Sequence, residues 1–431
     1  MALDPEEMKR QRQLRAEQRA KQAAQRKRLL IGLLAAAVVL IACTILIVSL
    51  AKKNGQKPQE TKPVETTQVE NTHTTQQTSP TESTQPPKEP TTTIHFVAGG
   101  DLNITEGVVK SGSAEYDYTD VFMDVVPLLA EGDMTVLNFE GNLCGTPYGA
   151  ESAPDSLAKA LDRAGVDFLQ IANSYSINRG LSGLSNTIDS IRSAGMEPLG
   201  AYATAEEAEK YKGFKLYDVK GVRVAITAFT KGMDGLSLPA DGKGCVNVLY
   251  KDYDSTYQEI DEDGITQVLE AMNREEPDVT IVLLHWGSEF NDTISASQKK
   301  IVTLMQENGV DAIIGTHSHY VQKMEFDKKA GTFVAYSLGD FYGDAARSGS
   351  EYSVVLDLTI VKNNETGETK ITGFDYTPIF TVTEEGQPVK VVRIREAMAA
   401  YEGDFIDKVS QSTYEAMAYA LTRIEARIAG E

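Results

Sequence analysis

The chain has 431 residues, of which 41% are hydrophobic, enough to bury at least one large core. Its formal net charge of −20 argues against nucleic acid as a partner, because binding phosphates usually requires a basic face. The three cysteines show no CxxC or Cys/His zinc spacing. Cys144 and Cys245 could pair in an oxidising compartment or remain two buried thiols.

The N-terminal segments predict a membrane anchor. Residues 1–28 form a basic tail with nine Lys/Arg against four Asp/Glu, and residues 29–51 contain no charged side chain. At about 1.5 Å per residue, this apolar run can cross a hydrocarbon core of roughly 30 Å. The alternative, a cleaved signal peptide, has a shorter apolar stretch of about 7–15 residues. Because basic flanks stay in the cytoplasm, we expect a single-pass cell-membrane protein with its C-terminal part extracellular.

Residues 52–92 consist largely of Thr, Gln, Pro, Glu and Lys, with almost no apolar side chains. Such a segment cannot bury enough surface to offset the entropy lost on ordering. We therefore expect a disordered stalk that spaces the following domain from the bilayer.

From residue 93, apolar runs alternate with stretches of helical periodicity. The predicted strands are 94–99, 134–138, 166–172, 222–229, 278–285, 310–315 and 332–337. The predicted helices are 119–131, 154–164, 182–194, 255–274 and 296–308. This alternation indicates an α/β domain built on largely parallel strands.

The C-terminal part, residues 346–431, has a slightly different pattern. Strands are expected at 352–361 and 370–382, followed by a long helical pattern over 404–429. We interpret this part as an extension packed on a main domain that covers residues 93–345.

Polar side chains follow nearly every predicted strand of the main domain. They are Asp101, Asn138, Glu140, Asn173, His285, His317 and His319. Ligands of open α/β sheets bind beyond the carboxyl ends of the strands. Imidazole and carboxylate together suit Zn, Mn or Fe, so the sequence predicts a divalent metal site, with ordinary turn and cap chemistry as the alternative. No GxSxG, Walker or GxGxxG motif supports a serine hydrolase or a nucleotide-binding protein.

Several blocks within residues 93–345 resemble the CapA family of bacterial capsule-synthesis proteins, the poly-gamma-glutamate biosynthesis group. They are VAGGDLNI, LNFEGNL, IANSYSINRG, LLHWGSEF, IIGTHSHYVQ and YSLGDF, in this order. The resemblance implies the calcineurin-like metallophosphoesterase fold, a four-layer α/β/β/α sandwich, with one or two divalent ions (Mn, Zn or Fe). The ligands that it implies are Asp101, Glu140 and His319 for one ion, and Asn173, His285 and His317 for the other, with Glu140 as the bridging carboxylate.

The chain departs from the family pattern in three places. The family commonly has Asn-Asn-His where this chain has Asn173, Ser174 and Tyr175. A histidine there could protonate a leaving group, which a phenol with a pKa near 10 does poorly. The usual SLGN is SLGD here, which brings Asp340 near the site, and Asn103 replaces a metal-binding histidine of ordinary metallophosphoesterases.

The resemblance suggests two functions in capsule or poly-gamma-glutamate synthesis or export. The first is a metal-dependent hydrolase or transferase that acts on a cell-envelope polymer, such as poly-gamma-glutamate or capsular polysaccharide. In this hypothesis His285 or Tyr175 contacts the substrate. The second is a non-catalytic component that binds the polymer or scaffolds an envelope assembly. In either case other membrane proteins of capsule synthesis are expected partners. A structural or adhesive surface protein is a third reading, which leaves the strand-end residues unexplained.

Overall fold

The computed structural model describes residues 90–405 and 408–430. The predicted basic tail, the apolar segment 29–51 and nearly all of the predicted stalk lie outside these residues. Within the described part, no helix is both long enough and apolar enough to cross a bilayer.

Fourteen strands run through the described residues. They are β1 (Thr91–Asn103), β2 (Met134–Glu140), β3 (Phe168–Gln170), β4 (Glu197–Leu199), β5 (Lys215–Val219), β6 (Val222–Thr230), β7 (Val279–His285), β8 (Ala312–Thr316), β9 (Met324–Asp327), β10 (Thr332–Ala335), β11 (Asp340–Tyr342), β12 (Tyr352–Asn363), β13 (Thr369–Val382) and β14 (Lys390–Arg393).

The α-helices of the same part are mostly short. They are α1 (Glu106–Ser111), α2 (Thr119–Phe122), α3 (Val126–Leu129), α4 (Asp155–Ala164), α5 (Gly180–Ala194), α6 (Ala205–Tyr211), α7 (Glu262–Asn273), α8 (Ala296–Glu307), α9 (Ile394–Glu402) and α10 (Gln411–Ala429).

The strands form two sheets. The first sheet has the order β14–β13–β12–β1–β2–β3–β4, with β11 also paired to β1. The second has the order β5–β6–β7–β8–β10–β9. Strands β1 to β4 are parallel to one another, as are β6, β7, β8 and β10, whereas β12, β13, β14, β5 and β9 join antiparallel. The α/β class is confirmed, and strand pairing within residues 93–345 is largely parallel as expected, with β5 and β9 as the antiparallel exceptions. The strands after residue 345 join antiparallel and make the first sheet mixed.

Alternate side chains of the second sheet enter two different cores. On β7, Ile281 and Leu283 belong to the main core, which also contains the apolar residues of the first sheet and of α4 and α5. The neighbouring Val282 and Leu284 point the other way, into a second core with α7 and α8. This alternation follows from the two-residue period of a strand. The two sheets therefore share a core, and helices cover the outer face of the second sheet.

Four aspartates fix the register at the start of parallel strands. They immediately precede β2, β3, β7 and β8, and they are Asp133, Asp167, Asp278 and Asp311. In each case the aspartate N–H donates to a carbonyl of the adjacent strand, and its carboxylate accepts the N–H of that same residue. The partners are His95, Thr135, Arg223 and Thr280, at 2.8–3.0 Å. A backbone donor at the sheet edge is thereby satisfied.

Two predicted helices are interrupted. The stretch 119–131 forms α2 and α3 with a break between them, because Pro127 lacks the N–H that a continuous helix needs. The helical pattern predicted from 404 starts only at α10, whose N-cap is Ser410, while α9 precedes it.

Residues after 345 supply three strands of the first sheet in addition to these two helices. Cys144 and Cys245 are free thiols, and Cys245 is buried.

Candidate metal centre

The carboxyl ends of strands from both sheets meet at one edge of the domain. The residues found there are Asp101 on β1, Asn138 and Glu140 on β2, His285 at the end of β7, and His317 and His319 directly after β8. This convergence brings together side chains that are more than 200 residues apart in the sequence. The strand-end rule therefore selected residues that are close in space.

A close approach of two backbones places a further carboxylate in the site. A Cβ atom on Gly100 would overlap the carbonyl oxygen of Gly339, so only glycine permits this contact. The Asp101 N–H donates to that carbonyl oxygen at 2.9 Å, and Asp101 is the register partner of Asp340 in the β1–β11 pair. Asp101 and Asp340 therefore lie side by side.

Two groups of potential metal ligands result. The first comprises Glu140, His285 and His317, all buried, and the second comprises Asp101, His319 and Asp340. Within each group the ligand atoms lie within 4.8 Å of one another. This division differs from the one that the family resemblance implied, because Asp340 takes part and Glu140 lies with the two other histidines. The ligand assignments themselves stay a prediction.

Hydrogen bonds hold the first group in place. His285 Nδ1 lies 3.2 Å from the donor Asn138 Nδ2 and also 3.2 Å from Glu140 Oε1. His285 Nε2 lies 3.1 Å from the hydroxyl oxygen of Ser174. His317 Nε2 is buried and has no hydrogen-bond partner among the described residues. A buried imidazole nitrogen without a partner is unusual and is consistent with an absent ligand.

Asn138 connects the two groups. Its Nδ2 donates to Asp101 Oδ1 at 2.6 Å and to Glu140 Oε1 at 3.0 Å. Its Oδ1 accepts from Asn173 Nδ2 at 3.1 Å, while Asn173 Oδ1 accepts the backbone N–H of Tyr175 at 3.0 Å. The predicted ligand Asn173 thus lies beside the two groups, and its amide orients Asn138.

The histidine turn after β8 has a left-handed backbone. His317 has φ +88° and His319 has φ +60°, a region in which non-glycine residues are uncommon. The His317 N–H donates to Asp101 Oδ2 at 2.9 Å, and His319 Nδ1 lies 2.8 Å from Asp340 Oδ1. Such conformations persist only where the surroundings hold them, and they cluster at functional sites.

The electrostatics of the site favour a cation. Burial, together with the charges of Asp101 and Asp340, raises the pKa of Glu140 well above its ordinary value. Burial also raises the pKa of Asp340 to about 6, against the opposing effect of His319. A divalent ion would relieve this crowding of carboxylates.

The histidines of the first group are held in the neutral form. Burial lowers the pKa of both His285 and His317 well below the ordinary value. Neutral imidazole is the form that binds metal. For His319, burial lowers the pKa, but the hydrogen bond and charge of Asp340 outweigh it and raise the pKa to about 9. The donor set, its charge and the unpartnered nitrogen of His317 therefore all fit a divalent metal.

Tyr175 stands at the edge of the site and is partly buried. Burial, together with the charge of Glu140, raises the pKa of its hydroxyl above the ordinary value. The phenol is therefore protonated at neutral pH and a poor acid. Sequence reasoning did not select Ser174, which contacts His285; its only signal was its place beside Asn173.

A single buried tryptophan packs behind the histidines. Trp286 follows His285, donates from Nε1 to the carbonyl oxygen of Tyr336 at 2.9 Å, and stacks on the Tyr336 ring with a centroid distance of 5.9 Å. The backbone of Gly315 lies against both, where a Cβ atom would overlap them. The segment that precedes the histidine turn is therefore tightly packed.

Comparison with known families gives one match over most of the described domain. The family model described as "Bacterial capsule synthesis protein PGA_cap" matches residues 95–345. The matched region contains all the site residues named above.

Two curated relatives are similar over a comparable length. The PGA biosynthesis protein CapA of Bacillus subtilis is 25% identical over 262 residues, which cover 59% of this chain and 64% of the relative. The capsule biosynthesis protein CapA of Bacillus anthracis is 26% identical over 266 residues, which cover 59% of this chain and 61% of the relative. The match therefore spans less than two thirds of the length of either relative.

Solved structures with some similarity include two phosphoesterases. The calcineurin-like phosphoesterase YfkN from Bacillus subtilis is 16% identical with a TM-score of 0.42, covering 77% of this chain and 100% of that chain. A novel phosphatase from Mycoplasma pneumoniae is 12% identical with a TM-score of 0.42, covering 67% and 94%.

Proposed function

This chain belongs to the bacterial capsule synthesis protein family, and from that premise we propose that it acts in capsule or poly-γ-glutamate synthesis or export as a metal-dependent hydrolase or transferase on a cell-envelope polymer. The proposal includes a single-pass membrane anchor at residues 29–51, an extracellular catalytic domain and a four-layer α/β/β/α arrangement. The names of the two CapA relatives support the biological setting.

The observation that carries the catalytic part is the pair of donor groups at the strand ends. Glu140, His285 and His317 form one group, and a buried nitrogen of His317 lacks a partner among the described residues. A purely structural cluster would be expected to satisfy this nitrogen. One or two divalent ions, Mn, Zn or Fe, would be held by these groups.

A bound divalent ion would supply a polarised water and a positive charge for a phosphoryl or acyl oxygen. The chain's own residues arrange the site around it. Asn138 fixes the orientation of Asp101 and Glu140 through its two donated hydrogen bonds. Tyr175 is partly buried and directly follows Ser174, which contacts His285, and in this proposal its hydroxyl contacts the substrate.

A second candidate is a non-catalytic protein that binds or guides the polymer. Tyr175 favours it, because burial raises the pKa of the phenol and makes it a poor proton donor to a leaving group. This candidate keeps the metal and the site but lacks turnover.

Metal content is the first test. The full chain, purified in detergent, is compared by elemental analysis with a His317→Ala/His319→Ala double variant. We expect near-stoichiometric Zn, Mn or Fe in the wild type and a loss of most metal in the variant. His95→Ala is the matched control, because His95 lies outside both donor groups and pairs with Asp357. Empty wild-type protein, even after metal is supplied, would contradict the proposal.

Turnover separates the two candidates. Metal-loaded protein is incubated with γ-glutamate oligomers and with phosphodiester substrates, and the products are analysed by mass spectrometry. Cleavage or transfer that is absent in the double variant supports the enzyme. Metal binding without any product favours the polymer-binding protein.

The membrane topology is tested separately in bacterial cells that express the chain. Protease added to intact cells should remove the part after residue 51, and deletion of residues 29–51 should abolish membrane association. A chain that resists external protease but is digested after lysis would contradict the proposed orientation.

A further inference from the structure

The ligand candidate His319 lies at the inner end of a stack of three side chains. The Phe290 ring lies over the His319 imidazole with a centroid distance of 4.6 Å and an interplanar angle of 19°. The Arg347 guanidinium lies 4.5 Å from the centroid of the same phenyl ring. Arg347 is exposed, so the stack ends with a cation in solvent.

A second cation lies at the other end of the loop that runs from Gly287 to Phe290. Lys231 directly follows β6, and its backbone N–H donates to the carbonyl of His285 at 2.8 Å. Its Nζ donates to the carbonyl oxygen of Gly287 at 3.2 Å and lies 5.2 Å from the centroid of the Tyr257 ring. Lys231 is partly buried, and sequence reasoning did not select it.

Neither cation has a carboxylate partner. In the described part of the chain, Lys231 and Arg347 form no ion pair, whereas lysines elsewhere do, as Lys215 does with Glu197 and Lys362 with Asp278. In a protein of net charge −20, two cations that lie beside the site and outside any ion pair of the described residues can accept anionic groups from a ligand.

The loop from Gly287 to Phe290 separates the two cations. Lys231 contacts the backbone of His285 and Gly287, next to the first donor group, whereas Arg347 contacts Phe290, which stacks on His319 of the second donor group. The two cations therefore lie by different donor groups. Arg347 can hold a carboxylate with two parallel hydrogen bonds, and Lys231 can act as a compact charge.

We infer that Lys231 and Arg347 bind two carboxylates of an acidic polymer, one beside each donor group, and thereby determine substrate specificity. The inference rests on the proposed function, in which a cell-envelope polymer enters this site. It adds the residues that recognise the polymer through its carboxylates.

The test uses the full, metal-loaded chain and a fluorescently labelled γ-linked glutamate decamer, with binding measured by anisotropy. Lys231→Gln and Arg347→Gln should each weaken binding about tenfold, the magnitude expected for a lost charge-assisted hydrogen bond. Arg347→Lys should retain part of the affinity. Each loss should shrink as salt is added.

Lys329→Gln is the matched control, because it removes the same charge from the exposed turn between β9 and β10, away from the strand ends that carry the site. It should bind the decamer as the wild type does. Thermal unfolding of every variant shows that the fold is kept.

Glu289 gives a test of opposite sign. It is exposed on the loop between the two cations, and its charge acts on Glu140, Lys231 and His319. Glu289→Gln should therefore strengthen binding of the decamer by a few-fold, since a repulsive charge is removed.

Four results would overturn the inference. They are unchanged binding in Lys231→Gln and Arg347→Gln, an equal loss in Lys329→Gln, no binding by the wild type, and preferential binding of polyphosphate of equal charge. Metal content, measured in parallel, distinguishes failure of the inference from failure of the proposed function. A wild type that holds metal but ignores the decamer refutes only the inference. A metal-free wild type whose binding depends on Lys231 and Arg347 refutes only the metal-dependent enzyme.

Discussion

Glu140 is a buried carboxylate with two other carboxylates nearby. Its pKa is raised by burial and by the charges of Asp101 and Asp340, so without a cation its ionised form destabilises the folded chain. With a cation present, the same charge becomes a ligand. The residue therefore has opposite effects on stability in the two states.

Glu140→Gln should raise the stability of the metal-free protein and abolish its stabilisation by metal. Glutamine keeps an acceptor for Asn138 Nδ2 while removing the charge. We expect an increase in melting temperature of about 2–4 °C in chelator at pH 8, which corresponds to roughly 1 kcal/mol. Added Mn or Zn should stabilise the wild type more than the variant. The measurement is thermal unfolding with and without metal.

The control for this prediction is Glu289→Gln, which removes an exposed charge from the nearby loop. It should change the metal-free melting temperature little, because surface substitutions usually lie within about 0.5 kcal/mol. A lower melting temperature of Glu140→Gln in chelator would show that the carboxylate stabilises the fold by itself.

Individual site residues were predictable where they end a strongly apolar strand. Asp101, Glu140 and His285 satisfy this rule, and the structure places them together. Asp340 was expected near the site, but its entry into the second donor group depends on the non-local pairing of β11 with β1. Lys231 also follows a strand, but a lysine there resembles an ordinary surface residue.

At the scale of elements, the starts of four parallel strands share one hydrogen-bond pattern. An aspartate before the strand binds both backbone groups of one residue on the neighbouring strand, as Asp311 does with Thr280. Because the carboxylate replaces a missing carbonyl of the ladder, it specifies the register of the strand pair. The same strands carry the site residues at their other ends.

Asp311→Asn should make folding stability less dependent on pH. Burial raises the pKa of Asp311 to about 6, against the hydrogen bond from Thr280. The unfolded chain, with an ordinary pKa near 3.9, binds fewer protons between about pH 4 and pH 6. Stability from this group is therefore present at low pH and lost as pH rises through that window. Above pH 7 we expect Asp311→Asn to be more stable than the wild type by up to roughly 3 kcal/mol.

Chemical denaturation at pH 4.5 and pH 8 provides the measurement. Asp311→Ala is the companion variant, because it also removes the acceptor and should be less stable than Asp311→Asn by about 1 kcal/mol at both pH values. A wild type that gains stability relative to Asp311→Asn as pH rises would contradict the assignment.

Strands with a continuous apolar run were predictable, and short strands without one, such as β4, β9 and β11, were not. The apolar pattern located β2, β6 and β7 almost to their ends, because a buried parallel strand is a continuous apolar run. The predicted strand 166–172 contains the three-residue strand β3, whereas β4 has too little apolar pattern and is defined by its pairing with β3. The break between α2 and α3 was visible in the sequence as Pro127, but the helical periodicity on both sides concealed it.

At the scale of the whole molecule, the C-terminal residues are part of the first sheet. Strand β12 lies between β1 and β13, and its pairing with β1 runs from Thr91 to Ala98. The strand that carries Asp101 is therefore supported by a segment more than 250 residues later. This support is antiparallel, which explains why the alternation of strands and helices in residues 93–345 did not indicate mixed sheets.

A chain that ends at residue 345 should fail to fold. Removal of β12 leaves the backbone donors and acceptors of β1 as an unpaired edge, and it takes out apolar side chains such as Leu356 and Leu358 that fill the core. We expect an insoluble product or one without a cooperative unfolding transition. A chain that ends at residue 403 keeps all fourteen strands and should unfold cooperatively with lower stability. Circular dichroism and limited proteolysis distinguish the two, and a folded 1–345 product would contradict the prediction.

The only tryptophan of the chain, Trp286, is buried directly after His285. Its indole emission therefore arises from one known position beside the donor groups, and no label has to be introduced. Paramagnetic Mn²⁺ should quench this emission whereas diamagnetic Zn²⁺ should not, so a fluorescence titration would count ions at the site and distinguish the two metals in the intact protein.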